Sequence, residues 1–249
     1  MKVTIITVTY NSGKYLEDCI KSVIMQRYPD IEHIVVDAKS TDNTMDIVRK
    51  YESHISKWIS EPDRGMYDAI NKGMAMATGD IIGTLNSDDI LVDDDVIESI
   101  VKAFEDNHVD TVYGDLEYVA ANDTNKIIRI WKGKPFKRSL FRYGWMPAHP
   151  TFYIKRSLVE KCGYYQNHYY TASDYEFMAR YLYKNKVSAY YLPKLIVKMR
   201  MGGQSNSGFR QRLRANRRDY LAMKKNDIPF AFFVSILKPL IKVNQFFKK

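Results

Sequence analysis

The stretch Ile81–Asp95, IIGTLNSDDILVDDD, decides how this chain reads. It opens apolar, as a buried strand does, and then places aspartates at 88, 89, 93, 94 and 95. Adjacent like charges cost energy unless something positive sits near them. Either the acids form a solvated turn and helix start, where carboxylates favour the positive end of the helix dipole, or they hold a cation. Asp93, Asp94 and Asp95 precede the helix-like run Val96–Phe104 and take the first reading. Asp88 and Asp89 follow the strand directly and take the second. Mg²⁺ or Mn²⁺ keeps one or two protein carboxylates and fills its remaining positions from phosphate and water. No cluster of His or Cys argues for a softer metal.

Working outward, Val3–Val8 is an uncharged, β-branched run like a buried parallel strand. Tyr15–Met25 shows helix spacing, with apolar residues at Leu16, Cys19, Ile20, Val23 and Ile24. IEHIVVD is a second strand, and AKSTDNT, rich in turn and N-cap residues, leads into a helix through Tyr51. ISKWISEPD gives a third strand and turn, Gly65–Ala77 a helix ending at Gly79, and DIIGTLN a fourth strand. This alternation predicts an α/β fold with a central, mostly parallel sheet flanked by helices. Farther on, DTVYGDLEYV and NKIIRIWKGKP read as strands, and SDYEFMARYLYK as a helix capped by Ser173. VSAYYLPKLIVKMR reads as two more strands. Ligands of open α/β sheets bind beyond the C-terminal ends of the strands. VTYNS, DAKSTD and NSDD all fall at such ends, which predicts one site built from three loops.

Length and composition suit a single domain to residue 207 with a basic helical tail over 208–249. The two cysteines, Cys19 and Cys162, stand far apart, which disfavours a disulfide framework and fits a reducing, cytoplasmic setting. The apolar run near the N-terminus is too short for a signal-peptide core. Of the 38 Lys and Arg, 11 lie after residue 207, against 2 of the 29 Asp and Glu, so the tail carries the whole net charge of +9. Such a patch implies an anionic partner.

Taken together, TVTYNSGKYLEDCIKSVIMQ, IEHIVVDAKSTDNT, EPDRGMYDAINKGMAMATGDIIGTLNSDD, HPTFYIKR and ASDYEFMAR resemble family 2 glycosyltransferases, in the expected order across roughly Lys2 to Arg180. The resemblance implies the GT-A fold, a nucleotide-diphosphate sugar donor, a divalent metal on an Asp-x-Asp-type motif, and transfer with inversion. It implies that Thr9 and Tyr10 border the base and ribose and that Asp37 approaches the base. It also places Asp88 on the ribose or sugar side, Asp89 at the metal, and Asp68, Asn71 and Lys72 near the donor. Asp68 and Lys72 also stand four apart on a helix, the spacing of a plain surface ion pair. Asp174, in SDYE, matches the family's general base, although first-turn acids also suit a helix dipole. His149 is an alternative acceptor-pocket residue. Two positions depart from the family pattern. Ala38 stands where a second acid often contacts uracil, and Ile70 stands where an arginine often meets the donor, with Lys72 or Arg64 as the substitute cation at hand.

The donor is therefore expected to be a UDP-sugar, and the acceptor lipid-linked or an oligosaccharide in bacterial surface-polysaccharide assembly. In the tail, Lys238, Lys242, Gln245 and Lys249 share one helical face, with Phe233, Leu237, Leu240, Ile241 and Phe247 largely elsewhere, the pattern of an interfacial helix. This predicts a peripheral enzyme on the anionic inner face of the plasma membrane. The alternative is docking on the core or on a partner, which leaves a homodimer open. Gln211–Ala215, QRLRA, resembles the Gln-x-x-Arg-Trp box of processive synthases but lacks the Trp. A nucleic-acid partner is disfavoured by the tail's phenylalanines, and a nucleotidyltransferase by the absence of a Gly-rich loop after the first strand. An inactive homologue is the remaining rival.

Overall fold

The structure, a computed structural model, describes residues 1–202 and 209–236, without the side chains of 209–213. Strand β1 (Val3–Thr9) is buried along its whole length. It leads to α1 (Leu16–Ile24), whose inward residues are Leu16, Cys19, Ile20 and Val23. Next come β2 (Ile31–Asp37), α2 (Thr44–Lys50), β3 (Lys57–Ser60), α3 (Met66–Met76) and β4 (Ile81–Thr84). These four strands pair in parallel in the order β3-β2-β1-β4. Val3 lies opposite Ile31 and Thr9 opposite Asp37, so β1 and β2 end level and their following loops meet. Gly73 lets α3 lie close on β1, since a Cβ there would come within 2.4 Å of the Ile6 side chain.

The second half is mixed. After β5 (Ile90–Leu91) and α4 (Val96–Asn107), the long β6 (Thr111–Ala120) turns into β7 (Asp123–Trp131). Then come β8 (Tyr153–Lys155), α5 (Ser157–Cys162), α6 (Ser173–Met178), β9 (Ala189–Arg200) and α7 (Phe209–Lys225). Strand β8 joins the halves, running antiparallel to both β4 and β6. The final expected pair of strands is one strand, β9, running past Pro193. Its register against β6 shifts around Asp115, so a bulge takes the residue that cannot donate to the ladder. Ser173 does not cap α6; its hydroxyl donates to the Gln166 carbonyl instead (2.9 Å). The helix continues as a wider π-helical turn, Ala179–Lys184.

The described part of the tail is built into this body. Ala222, Met223, Ile228 and Val234 are buried in the same cluster as Ile6, Ile70, Tyr175 and Tyr181. The face of Lys238, Lys242, Gln245 and Lys249 lies outside the described residues, as do the leading side chains of QRLRA. Among the described residues no helix is long and apolar enough to cross a membrane. Both cysteines are buried and free.

Two polar groups on β2 tie the parallel half together. Glu32 is buried, which alone would raise its pKa. The Thr78 N–H, the Thr4 and Thr78 hydroxyls and Lys57 instead hold it down, to about 2. His33 is fully enclosed and bonded to the Thr7 hydroxyl (3.0 Å), and burial lowers its pKa to about 4. In the unfolded chain it titrates near 6.5, so acid protonates the unfolded state first. The native state therefore loses stability as pH falls from about 6.5 towards 4, by roughly 2 kcal/mol from this group. Urea titrations of wild type and His33→Gln at pH 7 and pH 4.5 check this. The pH-dependent loss should be about 2 kcal/mol smaller in the variant, and equal losses refute it.

Candidate functional site

The three strand-end loops are stitched into one surface. Asn11 adopts a left-handed backbone (φ 48°). Its N–H donates to the Ser40 hydroxyl, and its Oδ1 accepts from the Thr41 N–H, both at 2.8 Å. The Ser12 N–H donates to Thr44 Oγ1 (2.8 Å), and the Ser12 and Ser87 hydroxyls are bonded at 2.8 Å. At Gly13 the loops come close, and a Cβ there would displace the Asn43 side-chain amide, whose Oδ1 would lie 1.8 Å away. Thr9 is buried under this surface, its carbonyl accepting from the Ala38 N–H and its hydroxyl without a hydrogen-bond partner. The ring of Tyr10 stands open to solvent. Asp37 is wholly buried, and its carboxylate accepts from the N–H and hydroxyl of Ser40 and the hydroxyl of Ser60. It braces the loop from beneath.

The NSDD loop carries unbalanced negative charge. Asp89 is fully buried; one oxygen accepts from Asn86 Nδ2 (2.9 Å), and Oδ1 has no hydrogen-bond partner. Burial and the neighbouring Asp88 push the Asp89 carboxyl well above the usual carboxylate range, and burial raises Asp88 as well. The buried Arg200, last residue of β9, donates to the Asp88 carbonyl (2.9 Å) and to Asp18 (2.6 Å). Sequence reasoning missed it, since its Asp18 partner is 182 residues away and no local motif marks it. An orphaned carboxylate oxygen beside a second, partly exposed carboxylate fits a hard divalent cation. Among the described residues no group of three or more His, Cys, Asp or Glu could hold a metal, so phosphate oxygens of a ligand and water would have to complete its shell. Of the two, Asp88 offers the solvent-reachable carboxylate. Asp93 and Asp95 pair instead with Lys194, and Asp94 with Arg27. These acids sit just before α4 without side-chain capping bonds.

Asp68, Asn71 and Lys72 face different partners. The Asp68–Lys72 pair does not form. Asp68 accepts from Arg64 and from Asn167 Nδ2 (3.0 Å), while Lys72 pairs with Glu61 (2.8 Å). Asn71 brackets the backbone of Tyr165, donating to its carbonyl and accepting from its N–H, each at 2.9 Å. Together with Tyr164, His168 and Tyr170 these residues line a cavity of about 730 Å³.

Asp174 lies in the first turn of α6, one oxygen accepting the Tyr175 N–H (2.7 Å). Around it stand Tyr67, Tyr165 and His149. Tyr67 and Tyr165 stack at 5.3 Å, and His149 Nε2 is 2.8 Å from the Tyr165 hydroxyl. Burial drives both phenols far above their ordinary range, and Asp174's charge adds to this. Burial lowers His149, with Asp174 opposing. Burial raises the phenol of Tyr118 on β6, the Arg129 guanidinium 3.8 Å from its ring centre opposes this, and the charges of Asp89 and Asp174 add to the rise. Glu176, by contrast, is wholly buried. It takes two bonds from Arg180, which also holds the Gly163 and Tyr164 carbonyls. The two acids of SDYE thus divide into one beside Tyr67, Tyr165 and His149 and one bracing the fold.

Residues 4–169 match the family model described as glycosyl transferase family 2. An uncharacterised glycosyltransferase of Mycobacterium tuberculosis is 34% identical over 182 residues, covering 72% of this chain and 68% of its own. A PGL/p-HBAD biosynthesis glycosyltransferase of the same organism is 28% identical over 217 residues, covering 82% and 79%. Among solved structures, S. aureus TarS 1-349 in complex with UDP-GlcNAc superposes over 90% of this chain and 66% of that one, with TM-score 0.71 and 21% identity. The longer TarS structure is matched over only 44% of its length. The mannosyltransferase PcManGT of Pyrobaculum calidifontis, in complex with GDP-Man and Mn²⁺, gives TM-score 0.65 at 19% identity, over 98% and 75%. At these identities the likeness speaks for the fold, which is of the GT-A type.

Proposed function

Because this chain belongs to glycosyl transferase family 2, we propose that it moves one sugar from a UDP-sugar to a lipid-linked or oligosaccharide acceptor, with inversion, in surface-polysaccharide assembly at the inner face of the plasma membrane. The observation that carries this is the family match over residues 4–169 together with the orphaned oxygen of buried Asp89 beside the partly exposed Asp88. An inverting transfer also needs a base, the role given to Asp174. The acceptor hydroxyl oxygen forms a bond to the anomeric carbon as the carbon–oxygen bond to the diphosphate breaks. The hydroxyl proton passes to Asp174, and the nucleoside diphosphate leaves with the electron pair. Asp88, with Asp89 behind it, would hold Mg²⁺ or Mn²⁺, which supplies charge neutralisation for the departing diphosphate. Tyr10 offers an open ring to the base, Thr9 lies beneath the ribose side, and Asp37 keeps the loop in place. Asp68 and Asn71 hold the 164–170 segment, through Asn167 and Tyr165, at the donor's sugar end, with Lys72 beside them on Glu61. UDP-GlcNAc in one structural relative and GDP-Man in another span the donor choices.

Calorimetric titration of UDP, GDP and dTDP, with and without Mn²⁺, tests the reading. UDP should bind, at least tenfold tighter with Mn²⁺. Preference for GDP would reassign the donor. No binding by folded protein would leave the inactive-homologue reading standing.

A further inference from the structure

The C-terminal helices have two unlike faces. Inward, Ala222, Met223 and Asn226 are buried, and Asn226 Nδ2 donates to Glu176 (3.3 Å). Outward, Leu221, Phe230, Phe232, Phe233 and Ile236 are between 42% and 77% exposed. Scattered apolar residues on a surface are ordinary, but a contiguous group of this kind marks an interaction site. The rings adjoin one another, Phe232 to Phe233 at 5.6 Å and Tyr220 to Phe232 at 6.3 Å. Arg214, Arg217, Lys224 and Lys225 are exposed on the same helical segment. The whole region 208–249 carries 11 basic against 2 acidic residues. Exposed phenylalanines beside exposed cations complement an anionic bilayer, whose surface attracts basic segments and whose headgroup–acyl boundary accepts aromatic rings. A protein partner would need a matching acidic rim around an apolar seat, whereas anionic lipid supplies both in one surface.

We infer that the face from Leu221 to Ile236 is a membrane-docking surface. Phe230, Phe232 and Phe233 enter the interface, and Arg214, Arg217, Lys224 and Lys225 meet anionic phospholipid headgroups. This surface precedes the stretch that the sequence pattern singled out. It stands on exposure and charge alone; only its consequence for catalysis rests on the transferase reading. Helix α7 packs on the segment Asn167–Ala172, immediately ahead of Asp174. The Arg218 guanidinium lies 4.3 Å over the exposed Tyr170 ring. Docking would hold the Asp174 side of the molecule towards lipid-linked acceptors.

Co-sedimentation of the full chain with vesicles of 30% phosphatidylglycerol in phosphatidylethanolamine, and with pure phosphatidylcholine, tests this. Wild type should bind the anionic vesicles at least tenfold more tightly. The triple variant Phe230→Ser, Phe232→Ser, Phe233→Ser should lose at least tenfold. Lys224→Glu with Lys225→Glu should lose the preference for anionic lipid. Circular dichroism of each variant should match wild type, since these side chains are exposed. UDP binding, measured in parallel, keeps the test separate from the transferase reading. Absence of wild-type binding overturns the proposal. Undiminished binding of the triple variant assigns docking to residues after 236 and overturns it too. A wild-type dimer that dissociates in the triple variant shows a second copy on this face and likewise overturns it.

Discussion

Asp174→Asn is expected to cut sugar transfer by about 10³-fold while leaving donor binding within a factor of two. The substitution keeps shape, and an amide oxygen can still accept the Tyr175 N–H that the carboxylate accepts now. What it removes is the only proton-accepting capacity of that side chain near neutral pH. The loss should therefore fall on kcat rather than on nucleotide affinity. Release of UDP in the presence of acceptor, alongside calorimetric UDP binding, separates the two. Transfer within tenfold of wild type would place the base elsewhere, with His149 next in reach of the same tyrosines. Glu176→Gln is the contrasting control. It weakens the buried pair with Arg180 and should lower the melting temperature, because breaking such a pair is strongly destabilising.

Asp88→Asn is expected to weaken Mn²⁺-assisted UDP binding by about a hundredfold, roughly 2.7 kcal/mol, with little change in melting temperature. Its carboxylate is partly exposed, and the fold uses its carbonyl, through Arg200, rather than its side chain. Asp89→Asn should behave differently. The buried amide relieves repulsion with Asp88 but must find room for its N–H groups beside Asn86, so its effect should divide between stability and binding. Titrations with and without Mn²⁺ on both variants decide the assignment. If Asp89→Asn abolishes the metal effect and Asp88→Asn does not, the ion sits on the inner carboxylate.

The parallel half was legible because its logic is local. Parallel strands need uncharged runs, helices between them show their spacing, and loops at strand ends carry Asn, Ser and Asp close in sequence. TYNSG, DAKSTDNT and NSDD could therefore be placed together before any coordinates. The opposite half depends on distant pairings that no window displays. Arg200 reaches Asp18 and the Asp88 carbonyl, and Asn71 clasps Tyr165. VSAYYLPKLIVKMR reads as two strands, yet a bulge lets one strand continue past Pro193. Lys72 and Asp68 had ideal spacing for each other, but Glu61 and Arg64 were nearer partners in three dimensions. Of the tail residues read for membrane contact, Phe233 is exposed and the others lie outside the described residues, while Ala222, Met223, Ile228 and Val234 serve the core.

The bridging position of β8 also sets an order of events during synthesis. The first four strands can assemble as soon as residue 84 is free, but β4 then presents an open edge until Tyr153–Lys155 arrives to pair with it. At about 5–20 residues per second, that edge waits several seconds on the ribosome. Strand edges of this kind recruit other chains. The nascent protein thus has an interval of aggregation risk at the β4 edge, and it closes before Asn226 reaches Glu176.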